Sequence, residues 1–231
     1  MALSLRLQAV LDLVRGSQTK VLADIGTDHA YLPIEAVRAG FCQKAIACDI
    51  NKGPLDIAAA NINGAGLAGL VETRLGNGLA PVKLNEADCV VIAGMGGMRI
   101  WNILQDAPEK AQFAKKLILQ PQQSIDALRK NLHQAGYKIS AEPLIYEDGR
   151  FYTILVAHYT GQVVPWTAPE YFIGKHTTQS PHFTAYLQYL QDKIARYIMS
   201  IKDPEHRQAE ETKLQWIKDI LSCQTLTAQH R

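Results

Sequence analysis

The sequence predicts an α/β protein in which a doubly wound, mostly parallel sheet ends in an antiparallel hairpin and is followed by a small α-helical unit. Short apolar runs alternate with segments of helical periodicity over the first 136 residues. Two strand-like stretches, 137–147 and 151–159, are separated only by Asp148-Gly149-Arg150, which is a tight-turn signal. After residue 180, apolar side chains recur at helical spacing.

The composition is that of an ordinary globular protein. The chain has 231 residues, of which 47% are hydrophobic and 20% charged, and its formal net charge is +2. These values exclude wholesale disorder, a collagen-like repeat and a disulfide scaffold. The length suits one full-sized domain and a smaller appendage. We therefore predict a first domain over residues 1–160 and a C-terminal helical domain over residues 161–231.

Each element of the first domain follows from apolar periodicity. An amphipathic helix is predicted over Leu3–Val14, where apolar residues recur at helical spacing. The remaining elements alternate in type, with strands at Lys20–Ile25, Lys44–Asp49, Val71–Leu75, Asp88–Ala93 and Lys116–Gln120 and helices at Tyr31–Ala39, Pro54–Asn63, Met98–Gln105 and Ile125–Gly136. Such βαβ alternation predicts a parallel sheet that is covered on both faces.

Two apolar stripes predict a C-terminal helical hairpin with coiled-coil-like packing. The first stripe steps by four and three residues in turn, through Phe183, Leu187, Leu190, Ile194, Tyr197 and Ile201. Asp203-Pro204 is typical of a helix start, and a second stripe follows at Leu214, Ile217 and Leu221. The stripes either pack only within the protein or form an arm that holds a large substrate or a second subunit, so self-association stays open.

Cysteine usage and hydropathy bear on the compartment. Cys42, Cys48, Cys89 and Cys223 lack metal-ligand spacing, which favours buried thiols over a zinc site or a disulfide framework, and we expect no metal. The N-terminal segment lacks a signal-peptide core, and no stretch approaches the roughly 18 apolar residues of a membrane span. We expect a cytoplasmic protein without membrane association.

A polar turn after the first predicted strand is the most informative stretch. In doubly wound folds the ligand lies beyond the carboxyl ends of the strands, and Gly26 permits close backbone approach there. The G-x-G-x-x-G fingerprint is missing, which disfavours a nicotinamide dehydrogenase. Asp24 and Asp28 would repel a pyrophosphate and favour a ligand with cationic groups, such as S-adenosylmethionine. Alternatively, Asp24 caps a turn and Asp28 the next helix.

Three further sites follow successive strands. Asp49, about twenty residues beyond the glycine turn, can accept the ribose hydroxyls of an adenosine. Asn77-Gly78 places an amide where an adenine edge could bind, although such a pair is also a simple turn. Residues 93–97, Ala-Gly-Met-Gly-Gly, form either a ligand-binding loop or a sharp strand-to-helix turn. That loop has no nucleophile, which argues against hydrolase or kinase chemistry.

Four motifs together closely resemble the bacterial tRNA (adenine-22-N1)-methyltransferase family, and the resemblance spans the whole chain. They are residues 24–33 (DIGTDHAYLP), 93–97 (AGMGG), 119–121 (LQP) and 147–152 (EDGRFY). The resemblance implies a Rossmann-like class I methyltransferase that uses S-adenosylmethionine to methylate N1 of adenine 22 in the D-arm region of tRNA. It assigns cofactor binding to Asp24, Gly26, Thr27, Asp28, His29, Asp49, Asn77, Gly78, Ala93, Gly94 and Met95. Asn77 stands where many methyltransferases have aspartate, and an amide can still contact adenine.

The chemistry of the implied reaction suggests four catalytic candidates. N1 of adenine has a lone pair and no proton to remove, so positioning should dominate over general-base catalysis. Asp28 is the candidate that stabilises the cationic product. Tyr31 and Tyr152 are candidates for stacking on the exposed base, and Gln120 for hydrogen-bonding to it. The alternatives are that both tyrosines belong to the core and that Gln120 is a polar strand end.

A net charge of +2 is modest for a protein that binds tRNA, so local basic patches would have to attract the phosphates. The candidates are Arg6, Arg15, Lys20, Lys115, Lys116, Arg129, Lys130, Lys193, Arg196, Lys202 and Arg207, each of which is alternatively part of a solvated face. Two other functions remain open. One is methylation of another RNA or a small substrate, and the other is a non-catalytic S-adenosylmethionine-binding module that recruits a protein partner.

Overall fold

A computed structural model describes residues 3–15 and 19–229, with side chains described as far as residue 223. The chain divides into two compact units, Met1–Pro165 and Trp166–Arg231. The division therefore falls after Pro165, whereas the sequence prediction places it after Thr160.

Apart from the terminal hairpin, the first unit contains all the elements predicted for it, with ends that differ by a few residues. Its strands are β1 (Thr19–Ile25), β2 (Cys42–Asp49), β3 (Val71–Leu75), β4 (Cys89–Met95), β5 (Lys116–Pro121), β6 (Tyr137–Ala141), β7 (Leu144–Glu147), β8 (Arg150–Thr153) and β9 (Leu155–Tyr159). Its helices are α1 (Leu5–Arg15), α2 (Tyr31–Arg38), α3 (Lys52–Gly64), α4 (Gly97–Gln105), α5 (Pro108–Phe113) and α6 (Ile125–Gln134). Helix α5 was not predicted, because six residues are too few to show a helical period.

The main sheet has seven strands in the order β3-β2-β1-β4-β5-β9-β6. β1 to β5 pair in parallel, and β9 lies antiparallel between β5 and β6. This order confirms the predicted doubly wound sheet with an antiparallel end. Because the chain returns from the β3 edge to place β4 beside β1, the strand order reverses between β1 and β4. Ligands of such sheets bind at the carboxyl ends of the strands at this point.

The predicted terminal hairpin is interrupted, which corrects the sequence prediction. Its outer halves, β6 and β9, belong to the main sheet, whereas β7 and β8 pair in a separate two-stranded sheet. Two features explain the break. Pro143 cannot donate a ladder hydrogen bond, and the side chain of Glu142 turns inward to pair with Arg129, with 2.6 Å between Oε1 and Nε and both side chains fully buried.

The central strands are buried on both faces, as the continuous apolar runs predict. Leu117, Ile118 and Leu119 of β5 and Val91 and Ile92 of β4 have no accessible surface. Burying one such side chain contributes about 1.5–3 kcal/mol. The strands are therefore held rigidly in the core, and the loops that follow them are held in fixed positions.

The second unit is helical. It contains α7 (Ala168–Ile173), a short 3₁₀ helix (Thr177–Gln179), α8 (Phe183–Ile198) and α9 (Pro204–Gln229), and α8 packs against α9. The predicted start of α9 is confirmed, because the Asp203 carboxylate accepts a hydrogen bond from the backbone N–H of His206 at 2.7 Å. The first apolar stripe extends beyond its helix. α8 ends at Ile198, and Ile201 is buried in the link between the two helices.

Three of the four cysteines are buried, as predicted, and one is not. Burial raises the pKa of the thiols of Cys42, Cys48 and Cys89 to about 12. Cys223, near the end of α9, is exposed. Among the helices of the described ranges, none combines the length and the apolar character needed to cross a bilayer.

Candidate functional site

The turn that follows β1 packs directly against the loop that follows β4. The backbone N–H groups of Gly26 and Thr27 both donate to the carbonyl of Cys48 on β2, at 2.8 and 2.9 Å. Gly26 has a φ of 76°, and a Cβ atom at this position would lie 2.3 Å from the terminal methyl of Met95. Only glycine combines this left-handed conformation with so close an approach.

Asp24 lies beneath this turn and is 5% exposed. Its Oδ2 atom accepts a hydrogen bond from the Thr27 hydroxyl at 2.7 Å. Burial raises the pKa of Asp24 to about 6; the Thr27 hydrogen bond works against this shift, and the charge of Asp49 adds to it. Asp24 forms no ion pair with a cationic side chain of the described residues. An ammonium or sulfonium group on a ligand would provide the missing positive charge.

Asp28 presents a carboxylate to solvent at the mouth of the turn. Its φ is 53°, and its Oδ1 lies 3.6 Å from Nδ1 of His29. The ring of His29 meets that of Tyr31 edge-on, with 5.7 Å between their centroids. The residue at the N-terminal cap of α2 is Ala30, and no side chain caps this helix. The alternative role for Asp28, as the cap of α2, is therefore wrong.

Asp49 connects the ends of three strands. Its Oδ1 accepts from the backbone N–H of Asn51 at 2.9 Å, and its Oδ2 from that of Asp28 at 3.4 Å. Its backbone carbonyl accepts from the N–H of Gly76, just beyond β3, at 2.9 Å. The structure thus brings Asp28 and Asp49 together, as expected for neighbouring parallel strands.

These elements enclose a pocket of about 220 Å³ at the point where the strand order reverses. It is lined mainly by residues at or just beyond the carboxyl ends of β1, β2, β3 and β4: Ile25, Gly26, Cys48, Asp49, Ile50, Asn51, Gly76, Asn77, Gly78, Ala93, Gly94, Met95, Arg99 and Ile103. A cavity of about 490 Å³ also contacts Asn77, Gly78 and Ile103, and it extends to residues 106–110.

Seven residues of this pocket were not predicted from the sequence. Five of them lie within two residues of predicted ones: Ile25, Cys48, Ile50, Asn51 and Gly76. The other two are Arg99 and Ile103. Both lie on α4, the helix that begins directly after the glycine-rich loop. A cation near the start of a helix next to a ligand-binding loop is a usable signal. No sequence signal indicates Ile103. Its place in the site comes from tertiary packing against Gly78, where an added Cβ atom would lie 3.0 Å from the Ile103 side chain.

Gln120 lies next to this loop but not at the surface. Its side chain is fully buried, and its Oε1 accepts from the Gly94 N–H at 3.1 Å and from Nη1 of Arg6 at 3.0 Å. Its Nε2 donates to the carbonyl of Pro121 at 3.1 Å. The Arg6 guanidinium also lies over the ring of Tyr152, 5.2 Å from its centroid. The carboxamide of Gln120 is thus engaged within the protein, while Tyr31 and Tyr152 are half-buried.

Some of the basic residues proposed to contact phosphates have structural partners instead. The prediction for Arg129 is wrong, because its side chain is fully buried against Glu142. Nζ of Lys116 donates to the carbonyl of Leu13 at 3.0 Å. Lys20, Lys115 and Lys130 are exposed in the first unit, as are Lys193, Arg196, Lys202 and Arg207 in the second.

The polar groups in this pocket and beneath the adjoining turn fit S-adenosylmethionine. A buried carboxyl without a cationic partner among the described residues suits an ammonium group, and Asp49 at the end of β2 suits a ribose diol. The glycine turns admit a ligand close to the backbone. Within the described residues, no cluster of three or more His, Cys, Asp or Glu side chains is arranged to hold a metal ion.

Known proteins that are similar to this chain are methyltransferases. The family described as a methyltransferase domain matches residues 3–155. The tRNA (adenine(22)-N(1))-methyltransferase of Bacillus subtilis is 40% identical over 155 residues, which span 67% of this chain and 64% of the B. subtilis protein.

Two solved structures are similar over nearly the whole chain. Streptococcus pneumoniae Sp1610, a putative tRNA (m1A22) methyltransferase in complex with S-adenosyl-L-methionine, has a TM-score of 0.86 at 36% identity, covering 95% of this chain and 100% of that one. M. capricolum TrmK in complex with S-adenosyl-homocysteine has a TM-score of 0.82 at 29% identity, covering 96% and 99%. By its fold, its motifs and these relatives, the chain belongs to the S-adenosylmethionine-dependent tRNA (adenine-22-N1)-methyltransferase family.

Proposed function

We propose that this protein transfers a methyl group from S-adenosylmethionine to N1 of adenine 22 in the D-arm region of tRNA. The observation that carries the proposal is the position of Asp49 in a pocket at the reversal of strand order, with Asp24 and Asp28 on either side of the adjoining Gly26 turn. The B. subtilis relative, named for this reaction, supports the choice of substrate. When bound, S-adenosylmethionine supplies the methyl group as a sulfonium electrophile.

Each predicted cofactor-binding residue has a role that its position supports. The buried carboxylate of Asp24 would pair with the ammonium group, and that of Asp49 would accept the ribose hydroxyls. The amide of Asn77, beside Gly78, would contact the adenine edge. Gly26, Ala93, Gly94 and Met95 line the pocket and would approach the cofactor closely. Thr27 and His29 would contact it from the adjoining turn.

The target side of the site needs no strong base. Because N1 of adenine carries a lone pair, the chain has only to hold the base in line and exclude water. The exposed carboxylate of Asp28 would stabilise the positive charge that develops on the methylated ring. N1 lies on the Watson–Crick edge, so the adenine must leave its pair, and Tyr31 and Tyr152 would stack on it.

We assign cofactor binding to residues 1–160 and a tRNA-contacting role to the helical domain, residues 161–231. Lys193, Arg196 and Lys202 are exposed there, where their charges can meet phosphates. The α8–α9 pair is also the candidate surface for coiled-coil-like self-association. A tRNA substrate implies a cytoplasmic protein.

The decisive experiment is incubation of the purified protein with labelled S-adenosylmethionine and unmodified tRNA, followed by nucleoside mass spectrometry. We expect 1-methyladenosine with the wild type, and its loss with Asp28→Ala. A transcript with guanosine at position 22 should not be methylated. Methylation of that transcript, or of another nucleoside, would favour a different RNA substrate. Cofactor binding without any methylated product would favour a non-catalytic module.

A further inference from the structure

We propose that Arg6, on the first helix, is a positioning residue that orients the Ala93–Gly94 peptide for methyl transfer and acts through Gln120. This inference rests on the proposed function and deepens it. It gives Arg6 a role other than the phosphate contact that its charge suggests.

The contacts form a continuous path from α1 to the cofactor pocket. Nη1 of Arg6 donates to Oε1 of Gln120, and the same oxygen accepts the backbone N–H of Gly94. Gly94 lines the pocket and has a φ of 79°. Because Gln120 is fully buried and its Nε2 is held by the Pro121 carbonyl, its carboxamide cannot rotate freely. The Gly94 N–H is therefore held toward β5.

This orientation fixes the carbonyl of Ala93. In a trans peptide the C=O of one residue and the N–H of the next point in opposite directions, and the described chain has no cis peptide bonds. β4 lies between β5 and β1. With the Gly94 N–H toward β5, the Ala93 carbonyl is directed to the β1 side, where Ile25 and Gly26 line the same pocket. A carbonyl oxygen there would stabilise the cationic methylated ring.

The surroundings of Arg6 indicate a functional rather than a purely stabilising position. Its Nε is buried and has no hydrogen-bond partner within the described residues. Leaving a buried donor unpaired costs free energy, and a functional role is one explanation for such a group in a native structure. A different contact holds α1 against the β7–β8 sheet: the Leu5 N–H donates a hydrogen bond to the Glu147 carboxylate at 2.5 Å.

The kinetic test compares Arg6→Ala, Gln120→Ala and the double variant in single-turnover methylation of tRNA at saturating S-adenosylmethionine. We expect Arg6→Ala to slow the methyl-transfer step about 10- to 100-fold, because small displacements of reacting groups cause losses of this size. The KM for tRNA should change little. The double variant should be no slower than Gln120→Ala alone, because both act through one path.

Two matched controls separate positioning from folding. Gln8→Ala removes an exposed side chain of α1 that bonds to Asp12 in the same helix, and it should leave the rate unchanged. Glu147→Ala loosens the docking of α1 without touching the partners of Arg6. If Glu147→Ala slowed methyl transfer as much as Arg6→Ala at a matched loss of Tm, the role of Arg6 would be structural and the proposal would be wrong.

A second readout does not depend on activity. The amide hydrogen of Gly94 should exchange faster with solvent in Arg6→Ala than in the wild type or Gln8→Ala, as followed by NMR, and Arg6→Lys should restore part of the protection. This result holds even if the wild type methylates no tRNA, so the two proposals fail separately. Unchanged Gly94 exchange, or a raised KM for tRNA with an unchanged single-turnover rate, would overturn the proposal in favour of a direct phosphate contact.

Discussion

The hydroxyl of Thr27 donates to the carboxylate of Asp24 at 2.7 Å, yet Asp24 keeps a pKa of about 6, because burial outweighs that single hydrogen bond. The protein without its cofactor therefore holds a carboxylate at neutral pH where ionisation is unfavourable. Such a group is poised to bind a cation, and it links cofactor affinity to fold stability.

Replacing Asp24 with Asn should stabilise the protein and weaken its cofactor binding. The folded pKa of about 6 lies above the ordinary value of 3.8, so at pH 7 the ionised group costs about 3 kcal/mol. Wild-type stability should fall as pH rises from about 4 to 6, and this dependence should flatten in Asp24→Asn. Thermal denaturation of the cofactor-free protein at pH values of about 4.5 and 7.5, near the lower end of that window and above it, measures the first effect. Calorimetric titration with S-adenosylmethionine measures the second.

The matched control for this prediction is Asp12→Asn, which neutralises an exposed carboxylate of α1. It should change neither the pH dependence of stability nor the affinity for S-adenosylmethionine appreciably. If Asp24→Asn lowered the Tm at the higher pH or bound the cofactor as tightly as the wild type, the role given to Asp24 would be wrong.

Asp28 and Asp49 should respond differently to the charge of the cofactor. S-adenosylmethionine and S-adenosylhomocysteine share the ribose, but only the first carries a sulfonium charge. Asp49→Asn should therefore weaken both ligands about tenfold, whereas Asp28→Asn should weaken S-adenosylmethionine more than S-adenosylhomocysteine. Parallel titrations of each variant with both ligands measure the ratio. An equal loss for both ligands in Asp28→Asn would place its carboxylate away from the sulfonium.

Gly97 is required by packing between two loops. A Cβ at Gly97 would lie 2.4 Å from the Ser124 carbonyl oxygen and 2.9 Å from that of Gln123. Since the obstacle is backbone, Gly97→Ala should cost about 1–3 kcal/mol, and it should also weaken cofactor binding by displacing the preceding loop. Chemical denaturation and cofactor titration measure the two effects.

Gly53→Ala is the matched control, because a Cβ at this position in α3 meets nothing within 4 Å and its φ is not positive. It should be neutral or slightly stabilising. Equal stability of the Gly97→Ala and Gly53→Ala variants would contradict the packing argument.

The buried pair of Arg129 and Glu142 should be the most sensitive ion pair of the first unit. Arg129→Met leaves a carboxylate fully buried without this partner, so we expect a loss of about 3–5 kcal/mol in the free energy of unfolding. Lys130→Met, next in the chain but exposed, should cost little. Urea denaturation compares the two, and a loss in Arg129→Met no larger than in Lys130→Met would contradict a structural role.

Much of the fold, and several residues of the proposed site, follow from local patterns. Helical and strand periodicities repeat over a few residues, so the alternation of β1 to β5 with their helices is readable without tertiary contacts. Asp24, Asp49 and Asn77 could be placed together because the carboxyl ends of parallel strands meet at one edge of a sheet. The glycine at position 26 was likewise recognisable from its place after a strand.

The sequence by itself thus determined the doubly wound sheet and its antiparallel end, and it predicted the acidic residues that we propose to bind the cofactor. Only the tertiary structure decided that the terminal hairpin splits at Pro143, that Arg129 is buried and that Gln120 bonds inward to Gly94. The physical reason is that these outcomes depend on contacts between distant segments. Arg6 and Gln120 are 114 residues apart. A local sequence pattern does not indicate which distant residue a polar side chain will contact in the folded chain.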